Sequence, residues 1–274
     1  MERPAPSPAL LHGDAAEQLK GLPDASVDLV IVDPPYGITS AKWDKTSDEW
    51  WDRVWRLLEQ KCKASILVFG VDPFLTERRM QESPSIAYKY DLIWVKNVPS
   101  GMSNVAKQPM RQHENIAYFL KRGVGAQDVY RPQKRRRITP IAGYATKASS
   151  TAGISGQLDK TMRVQREKNP TSVIHFPKVK AAKSRPWLAL HPTQKPTALL
   201  KYLIETYSKP GDTVLDFCMG SGSTGVAALA CGRAFVGIES NAEFYERAKR
   251  RLEEYHVELP HMETLYTKHF VVPV

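Results

Sequence analysis

The sequence predicts an α/β fold: a doubly wound, mainly parallel sheet that carries a basic inserted region. Short apolar runs that end in acids or prolines, such as residues 27–32, are typical of strands buried on both faces. Segments with a helical spacing of apolar residues, such as 47–63, alternate with these runs through most of the chain. This alternation is the pattern of parallel sheets whose strands are joined by helices.

The first block of predicted elements lies before residue 123. An apolar run at 10–14 leads into a helix-like segment at 15–22. The helix predicted over 47–63 begins with acidic residues, which suit the positive end of a helix dipole. Further strands are predicted over 27–32, 65–70, 89–96 and 113–121, and a further helix over 72–82.

The second block begins with a helix predicted over 195–209. Pro196 suits the first turn of a helix, and the leucines that follow it have helical spacing. Asn241 is a suitable N-cap for the last helix. A strand–turn–helix unit, a strand and a long amphipathic helix are predicted over 213–232, 233–240 and 241–255.

The positive charge of the chain is concentrated in one segment. The 39 Lys and Arg residues exceed the 29 Asp and Glu residues by 10, and residues 123–185 hold 14 of the former but only three of the latter. This segment is rich in small and polar residues and has little apolar periodicity, so we predict a loop-rich insert between two halves, 1–122 and 186–274. A solvated linker is the alternative, although the segment is long for a structureless loop in a compact domain.

Composition excludes several classes of protein. The chain has 42% hydrophobic and 25% charged residues, as ordinary globular proteins do. No apolar run approaches the roughly 20 residues of a membrane span, and no secretory signal is recognisable at the N-terminus. Because Cys62, Cys218 and Cys231 form no pair or Cys/His cluster, we expect no disulfide, no metal site and a cytoplasmic location.

A Gly-rich motif follows the predicted strand that ends at Asp216. Residues 216–225 are DFCMGSGSTG, and glycines at such a turn let the backbone approach a ligand at the carboxyl end of the strand. The next predicted strand ends in Glu239, an acid suited to binding ribose hydroxyls. The acid that precedes the glycines fits a nucleoside without a pyrophosphate better than a dinucleotide. A purely structural turn is the alternative.

A second motif, Asp33-Pro34-Pro35-Tyr36, ends the buried strand over 27–32. The two prolines fix the backbone and remove two N–H donors, so carbonyl and carboxylate acceptors stand beside an aromatic ring. Such a set can hold a planar group that bears an exocyclic NH2 and can raise the electron density on its nitrogen. A strand-ending turn with a surface tyrosine is the alternative.

Together these motifs resemble those of the amino-methyltransferases that act on nucleic acid with S-adenosylmethionine. HPTQKP at 191–196 is similar to a further motif of that family, and IWVK at 93–96 and HEN at 113–115 stand where its middle motifs stand. The order, with DPPY at 33–36 first and the Gly-rich motif at 216–225 last, resembles the circularly permuted beta group of DNA adenine-N6 and cytosine-N4 methyltransferases.

The resemblance implies a Rossmann-like methyltransferase domain, S-adenosylmethionine as cofactor and a set of site residues. Asp216 would face the methionine part of the cofactor, Glu239 its ribose and Asp14 its adenine. Lys195 would serve the cofactor carboxylate or begin a helix. The catalytic residues would be Asp33, Pro34, Pro35 and Tyr36. The cofactor-binding residues would be Asp14, Asp33, His191, Thr193, Lys195, Asp216, Phe217, Gly220, Ser221, Gly222, Ser223, Glu239, Ser240 and Asn241.

Double-stranded DNA is the implied partner. Direct methyl transfer to a flipped-out adenine held on Tyr36 is the implied reaction. The insert 123–185 would recognise the target, with Lys134, Arg135, Arg136 and Arg137 contacting phosphates. The family also implies a homodimer and a bacterial or phage-infected cell.

Other functions remain open at this point. A cytosine-N4 methyltransferase is the first alternative, because cytosine also presents an NH2 on a six-membered ring, although Asp33 in place of a serine favours adenine in this family. An RNA or protein-amide methyltransferase, an inactive nucleic-acid-binding module and a nicotinamide-dependent enzyme fit the motifs and their order less well.

Overall fold

The computed structural model describes residues 8–37, 47–81, 83–145, 161–179 and 194–266. His191 and Thr193, two of the predicted cofactor-binding residues, lie outside these ranges. The chain divides into two compact units, one of residues 1–131 and 172–274 and one of residues 132–171.

The first unit contains a mixed sheet that is mostly parallel. Its strands, as far as the chain is described, lie in the order β1-β10-β9-β2-β3-β5-β4-β8. All neighbouring strands are parallel except that β5 runs antiparallel to both β3 and β4. The strands are β1 (Ala9–His12), β2 (Val27–Val32), β3 (Cys62–Gly70), β4 (Ile86–Ser100), β5 (Arg111–Lys121), β8 (Val173–His175), β9 (Thr213–Asp216) and β10 (Ala234–Glu239). The predicted doubly wound, mainly parallel sheet is confirmed.

Helices cover both faces of this sheet. The helices α1, α2 and α3 pack on one face, where Leu19, Trp55 and Leu75 are buried against Val30 and Val68. The helices α5, α6 and α7 pack on the opposite face, in a second core cluster. The helices are α1 (Ala15–Lys20), α2 (Asp48–Lys61), α3 (Phe74–Met80), α4 (Ala126–Val129), α5 (Thr197–Tyr207), α6 (Ser223–Ala230) and α7 (Ala242–Tyr266).

Helix α2 illustrates how the sequence determines these elements. Ser47 accepts a hydrogen bond from the backbone N–H of Trp50 at 3.2 Å and so caps the helix. Residues 51, 54, 55 and 58 recur at helical spacing, and all four are buried in the core. The alternation that predicted the strands and helices of this unit therefore agrees with their positions.

The second unit contains two antiparallel strands, β6 (Arg135–Ala145) and β7 (Thr161–Lys168). The expectation of a loop-rich segment over 123–185 is corrected here, because β6, β7 and β8 all lie within it. Strand β6 lacks the apolar alternation of a half-buried strand, β7 alternates only at Met162 and Val164, and β8 has only three residues, so hydropathy did not reveal them. Strand β8 pairs with β4 and so belongs to the main sheet.

Candidate active site

Three acidic residues lie at or just after the carboxyl ends of neighbouring strands. Asp33 follows β2, while Asp216 and Glu239 end β9 and β10. Because these strands are parallel and adjacent, all three acids meet at one edge of the sheet, where ligands of open α/β folds bind. They line one cavity of about 750 Å³. The other predicted site residues that line it are Asp14, Pro34, Pro35, Tyr36, Lys195, Phe217, Gly220, Ser221, Ser223 and Ser240.

The Gly-rich turn between β9 and α6 depends on left-handed backbone. Gly220 has φ +50° and Gly222 has φ +71°, values that residues with a side chain rarely adopt. Gly222 precedes α6 and does not line the cavity, and a Cβ on it would lie only 3.2 Å from the Cβ of Ala248. Gly222, one of the predicted cofactor-binding residues, therefore serves the turn and the packing against α7.

Glu239 is held by two backbone donors. Its Oε2 accepts the N–H of Gly220 at 2.9 Å, and its Oε1 accepts the N–H of Asn241 at 2.8 Å. The Asn241 side chain caps α7 by accepting the N–H groups of residues 243 and 244, as the sequence predicted. Each carboxylate oxygen keeps a lone pair that can accept a further bond, which suits a pair of ribose hydroxyls.

Asp216 is buried, and within the described part of the chain its hydrogen-bond donors are uncharged. Its Oδ1 accepts the N–H of Cys218 at 3.1 Å, and its Oδ2 accepts the hydroxyl of Thr224 at 2.6 Å. Burial raises the pKa of Asp216 from 3.8 to about 7, although both hydrogen bonds oppose this shift. A carboxylate in this state favours a ligand that brings a positive charge.

Asp14 has two structural roles at the rim of the cavity. Its Oδ1 caps α1 by accepting the N–H of Glu17 at 3.2 Å, and its Oδ2 accepts the indole N–H of Trp50 at 2.8 Å. Trp50 lines the cavity beside Phe217, with ring centroids 6.4 Å apart. Trp50 was not among the predicted site residues, although a large aromatic residue off the buried face of an amphipathic helix indicates such a position.

The DPPY motif places Asp33 between a phenol and an ammonium group. The hydroxyl of Tyr36 donates to Asp33 Oδ1, and the Nζ of Lys195 lies 2.5 Å from Asp33 Oδ2. The ring of Tyr36 packs against Phe74 at a centroid distance of 5.3 Å. Burial raises the pKa of Asp33 and Glu114 adds to the rise, whereas Lys195 opposes it.

Lys195 lines the cavity and forms ion pairs with two carboxylates. Its Nζ bridges Asp33 and Glu114, at 3.3 Å from Glu114 Oε2, and stands 5.1 Å from the ring centre of Phe69. Burial lowers the pKa of Lys195, but the two carboxylates outweigh it and the pKa is raised. Glu114 stands in the predicted HEN motif at 113–115, but no role was predicted for it.

The predicted phosphate-contacting residues lie in the second unit. Lys134 precedes β6, and Arg135 and Arg136 begin it with exposed side chains. Lys134 forms an exposed ion pair with Glu167 at 3.5 Å. The backbone of Arg137 is part of β6, while its side chain lies outside the described part of the structure.

Comparison with known proteins identifies the family. Residues 27–250 match the family N6_N4_Mtase, described as DNA methylase. The chain belongs to this DNA methylase family. Residues 33–36 and 216–225, the two motifs that line the cavity, both lie within the matched region. The family predicted from the motifs and their order is confirmed.

Two relatives with curated names support this assignment. The DNA methylase is 30% identical over 256 residues to the DNA adenine methyltransferase YhdJ of Escherichia coli (strain K12), covering 89% of this chain and 82% of the relative. It is 25% identical over 267 residues to the type II methyltransferase M2.DpnII of Streptococcus pneumoniae, covering 89% of each.

Two solved structures share the fold of the DNA methylase. The M1.HpyAVI–SAM complex superimposes with a TM-score of 0.56 at 25% identity, covering 89% of this chain and 98% of that one. The PvuII cytosine-N4-specific DNA methyltransferase superimposes with a TM-score of 0.58 at 15% identity, covering 94% and 95%, which shows the fold alone.

No metal site or membrane span is found in what the structure describes of the DNA methylase. In residues 8–37, 47–81, 83–145, 161–179 and 194–266 no three potential ligands form a metal-binding group. Over the same ranges no helix has the length and apolar character needed to cross a bilayer.

Proposed function

We propose that this DNA methylase transfers a methyl group from S-adenosylmethionine to the exocyclic N6 of an adenine in DNA. The observation that carries the proposal is one cavity lined both by the DPPY acceptors and by the Gly-rich turn with Glu239. One part of the cavity suits an amine substrate and the other a nucleoside cofactor. The adenine methyltransferase YhdJ is the relative that favours adenine.

The residues at the Gly-rich turn fit S-adenosylmethionine. Glu239 has lone pairs for two ribose hydroxyls, and Asp216 is a buried acceptor suited to the ammonium of the methionine part. Trp50 and Phe217 provide aromatic surface near Asp14 for a purine ring. The SAM complex of M1.HpyAVI also supports this cofactor.

The DPPY residues prepare the amine for attack. When bound, S-adenosylmethionine supplies an electrophilic methyl group, and the electron pair of the broken C–S bond stays on sulfur. Asp33 and the Pro34 carbonyl accept one hydrogen bond each from the two N–H groups of the amine. These bonds localise on the nitrogen the lone pair that forms the N–C bond. Asp33 Oδ2 then takes the proton that the methylated nitrogen must lose.

Tyr36 provides the surface on which the target base rests. The amine of a stacked base in duplex DNA cannot reach Asp33, so the base must leave the stack. Tyr36 lines the cavity beside Asp33, so a base whose amine meets Asp33 would lie next to its ring. We expect Tyr36→Ala to weaken capture of the base, and unchanged kinetics on duplex DNA would argue against stacking.

One assay tests the reaction and its first alternative. The protein is incubated with methyl-labelled cofactor and unmethylated DNA, the DNA is digested, and the labelled nucleoside is identified. We expect N6-methyladenine; N4-methylcytosine would select the alternative, and unlabelled DNA would reject both. The Asp33→Ala variant is expected to give no product while it still binds cofactor, and normal turnover would refute the role of Asp33.

The second unit is our candidate for DNA contact. Its exposed Arg135 and Arg136 suit phosphate contacts, each of which adds about one unit to the slope of log affinity against log salt. We expect the double substitution Arg135→Ala/Arg136→Ala to lower that slope by about two and to leave cofactor affinity unchanged. The matched control is Lys249→Ala/Arg250→Ala on α7, and an equal effect of both pairs would refute a specific contact.

A homodimer is a further expectation from the family. Sedimentation of the protein alone and with DNA would measure its oligomeric state, and a monomer under both conditions would refute the dimer.

A further inference from the structure

Four charged side chains from different parts of the fold form one alternating chain that ends at the DPPY motif. Lys96 on β4 pairs with Glu114 on β5, Glu114 with Lys195 before α5, and Lys195 with Asp33 after β2. The N···O distances are 3.1, 3.3 and 2.5 Å. The hydroxyl of Tyr36 extends this chain beyond Asp33.

Burying such a chain of charges costs desolvation free energy. Lys96 is 2% exposed and Lys195 is 9% exposed, so both ammonium groups have lost most of their hydration. Apolar residues of similar volume at such positions are often as stabilising as a buried ion pair. Stability alone therefore does not explain why charges from two strands and from the segment before α5 converge on Asp33.

The distances within the chain are unequal in a way that suggests a function. Lys195 lies close to Asp33 Oδ2, whereas Glu114 Oε2 is buried and, among the described residues, has this same ammonium group as its ion-pair partner at the longer distance of 3.3 Å. Glu114 Oε2 can thus receive Lys195 whenever Asp33 Oδ2 takes another donor. A rotation of one flexible lysine side chain is enough for this exchange.

We propose that Glu114 is a positioning residue that draws Lys195 away from Asp33 while Asp33 binds and deprotonates the target amine. The inference rests on the proposed function of Asp33. Lys195 keeps its proton throughout, and the proton from the methylated nitrogen goes to Asp33 Oδ2. Glu114 then neutralises the ammonium group that a protonated Asp33 no longer balances.

The exchange predicts a distinct effect of removing the Glu114 charge. In Glu114→Gln, Lys195 stays on Asp33, so we expect the single-turnover methylation rate to fall about 10- to 100-fold, part of what a general base contributes. The negative charge of Glu114 raises the pKa of Asp33, so its loss lowers that pKa. The acid limb of the pH–rate profile should therefore move to lower pH while the plateau falls.

The shift of the acid limb can be assigned to Asp33 from the charged and titratable groups around it. Lys195 acts from the segment before α5, Glu114 from β5, and Tyr36 from the loop of Asp33 itself. Asp216 at the end of β9 and Cys218 after it feel the charge of Asp33 from the cofactor side, and both residues are unchanged in Glu114→Gln. Cofactor affinity, measured by calorimetry, should therefore stay near the wild-type value.

Asp91→Asn is the matched control. Asp91 lies on β4, pairs with Arg79 at 2.5 Å and has a side chain 17% exposed, against 19% for Glu114. It does not line the cavity. We expect Asp91→Asn to lower the melting temperature while it leaves the methylation rate and the acid limb unchanged. A double variant, Lys96→Met/Glu114→Gln, removes opposite charges together and carries the test if Glu114→Gln does not fold.

The outcomes separate this inference from the proposed function. A wild-type rate and an unmoved acid limb in the Glu114 variants, with Asp33→Asn inactive, would overturn the role of Glu114 alone. An equal rate loss in Glu114→Gln and Asp91→Asn, without a shift of the acid limb, would mean that Glu114 acts through packing. This outcome would also overturn its positioning role. Full activity of Asp33→Asn would instead overturn the proposed function.

Discussion

Asp33 and Asp216 lie near the ends of adjacent parallel strands, yet their surroundings differ. Asp33 has an ammonium group 2.5 Å away, supplied by Lys195, and a phenol hydroxyl on its other oxygen. Among the described residues, the hydrogen-bond donors to Asp216 are neutral: one backbone N–H and the hydroxyl of Thr224. Burial raises the pKa of both carboxyl groups, but at Asp33 a cation opposes the rise.

This difference indicates what each carboxylate is prepared to do. Asp33 carries its own counter-ion, so it can face a neutral amine as an anion and accept a proton later. Asp216, with a pKa of about 7, lacks a counter-ion among its hydrogen-bond partners and gains one when a cationic ligand binds. The fold supplies the two positions, and the residues around them determine the chemistry.

The largest expected effect comes from removing the counter-ion of Asp33. In Lys195→Met, the pKa of Asp33 rises, because Lys195 no longer opposes the effect of burial. The acid limb of the pH–rate profile should move to higher pH, opposite to the shift in Glu114→Gln. We expect a rate loss of about 100-fold at pH 7, measured by single-turnover methylation.

Lys61→Met controls for loss of a buried lysine. Lys61 pairs with Asp24 at 2.6 Å outside the cavity, and its side chain is 7% exposed against 10% for Lys195. The control should lower stability and leave the pH profile in place. If both variants shifted the profile equally, the counter-ion role of Lys195 would be wrong.

The sequence predicted the site residues that stand in contiguous motifs and missed residues that approach the site from distant parts of the chain. Asp33 and Asp216 stand in contiguous motifs at the ends of apolar runs, so hydropathy and motif spacing located both. Glu114 and Trp50 approach the cavity from distant parts of the chain, on β5 and α2. Their contacts depend on strand order and helix packing, which no local pattern determines.

The same reasoning explains why part of the fold was missed. The apolar strands β2 and β3 are buried on both faces and have a clear pattern. Strand β6 begins with three arginines and shifts register against β7 between residues 136 and 141. Such a strand is determined by its pairing with a neighbouring strand and not by hydrophobic alternation. Its local sequence therefore predicts a loop.

An intermediate effect is expected on the pH dependence of cofactor affinity. The ammonium group of the cofactor should lower the pKa of Asp216, so binding near neutral pH should release a proton. Affinity should then fall about tenfold per pH unit below about 7. Calorimetry in buffers of different ionisation enthalpy would measure the proton, and Asp216→Asn should abolish its release.

The stability of the free protein gives an independent check. The pKa of Asp216 is higher in the folded state than its ordinary value of 3.8, so the folded state holds more protons between these values. The free energy of unfolding should therefore fall as the pH rises from about 4 through about 7, and Asp216→Asn should remove this decline. A decline that persisted in the variant would place its origin at another group.

The smallest expected effect comes from removing one hydrogen bond to Asp216. Thr224→Val keeps the shape of a buried side chain and removes the hydroxyl that donates to Asp216 Oδ2 at 2.6 Å. That hydrogen bond lowers the pKa of Asp216, so its loss should raise the pKa further and move the affinity midpoint to higher pH. The free energy of unfolding should fall by about 1 kcal/mol.

Thr206→Val separates the two consequences of losing a buried hydroxyl. Thr206 is 2% exposed on α5, against 5% for Thr224 on α6, and its hydroxyl donates to the backbone carbonyl of Tyr202 at 2.6 Å. Both variants lose one hydrogen bond to an oxygen, so both should show a similar small loss of stability. Only Thr224→Val should move the pH midpoint of cofactor binding, because only its acceptor is a carboxylate at the cavity. An equal shift in both variants would mean that helix stability, and not the charge state of Asp216, controls cofactor affinity.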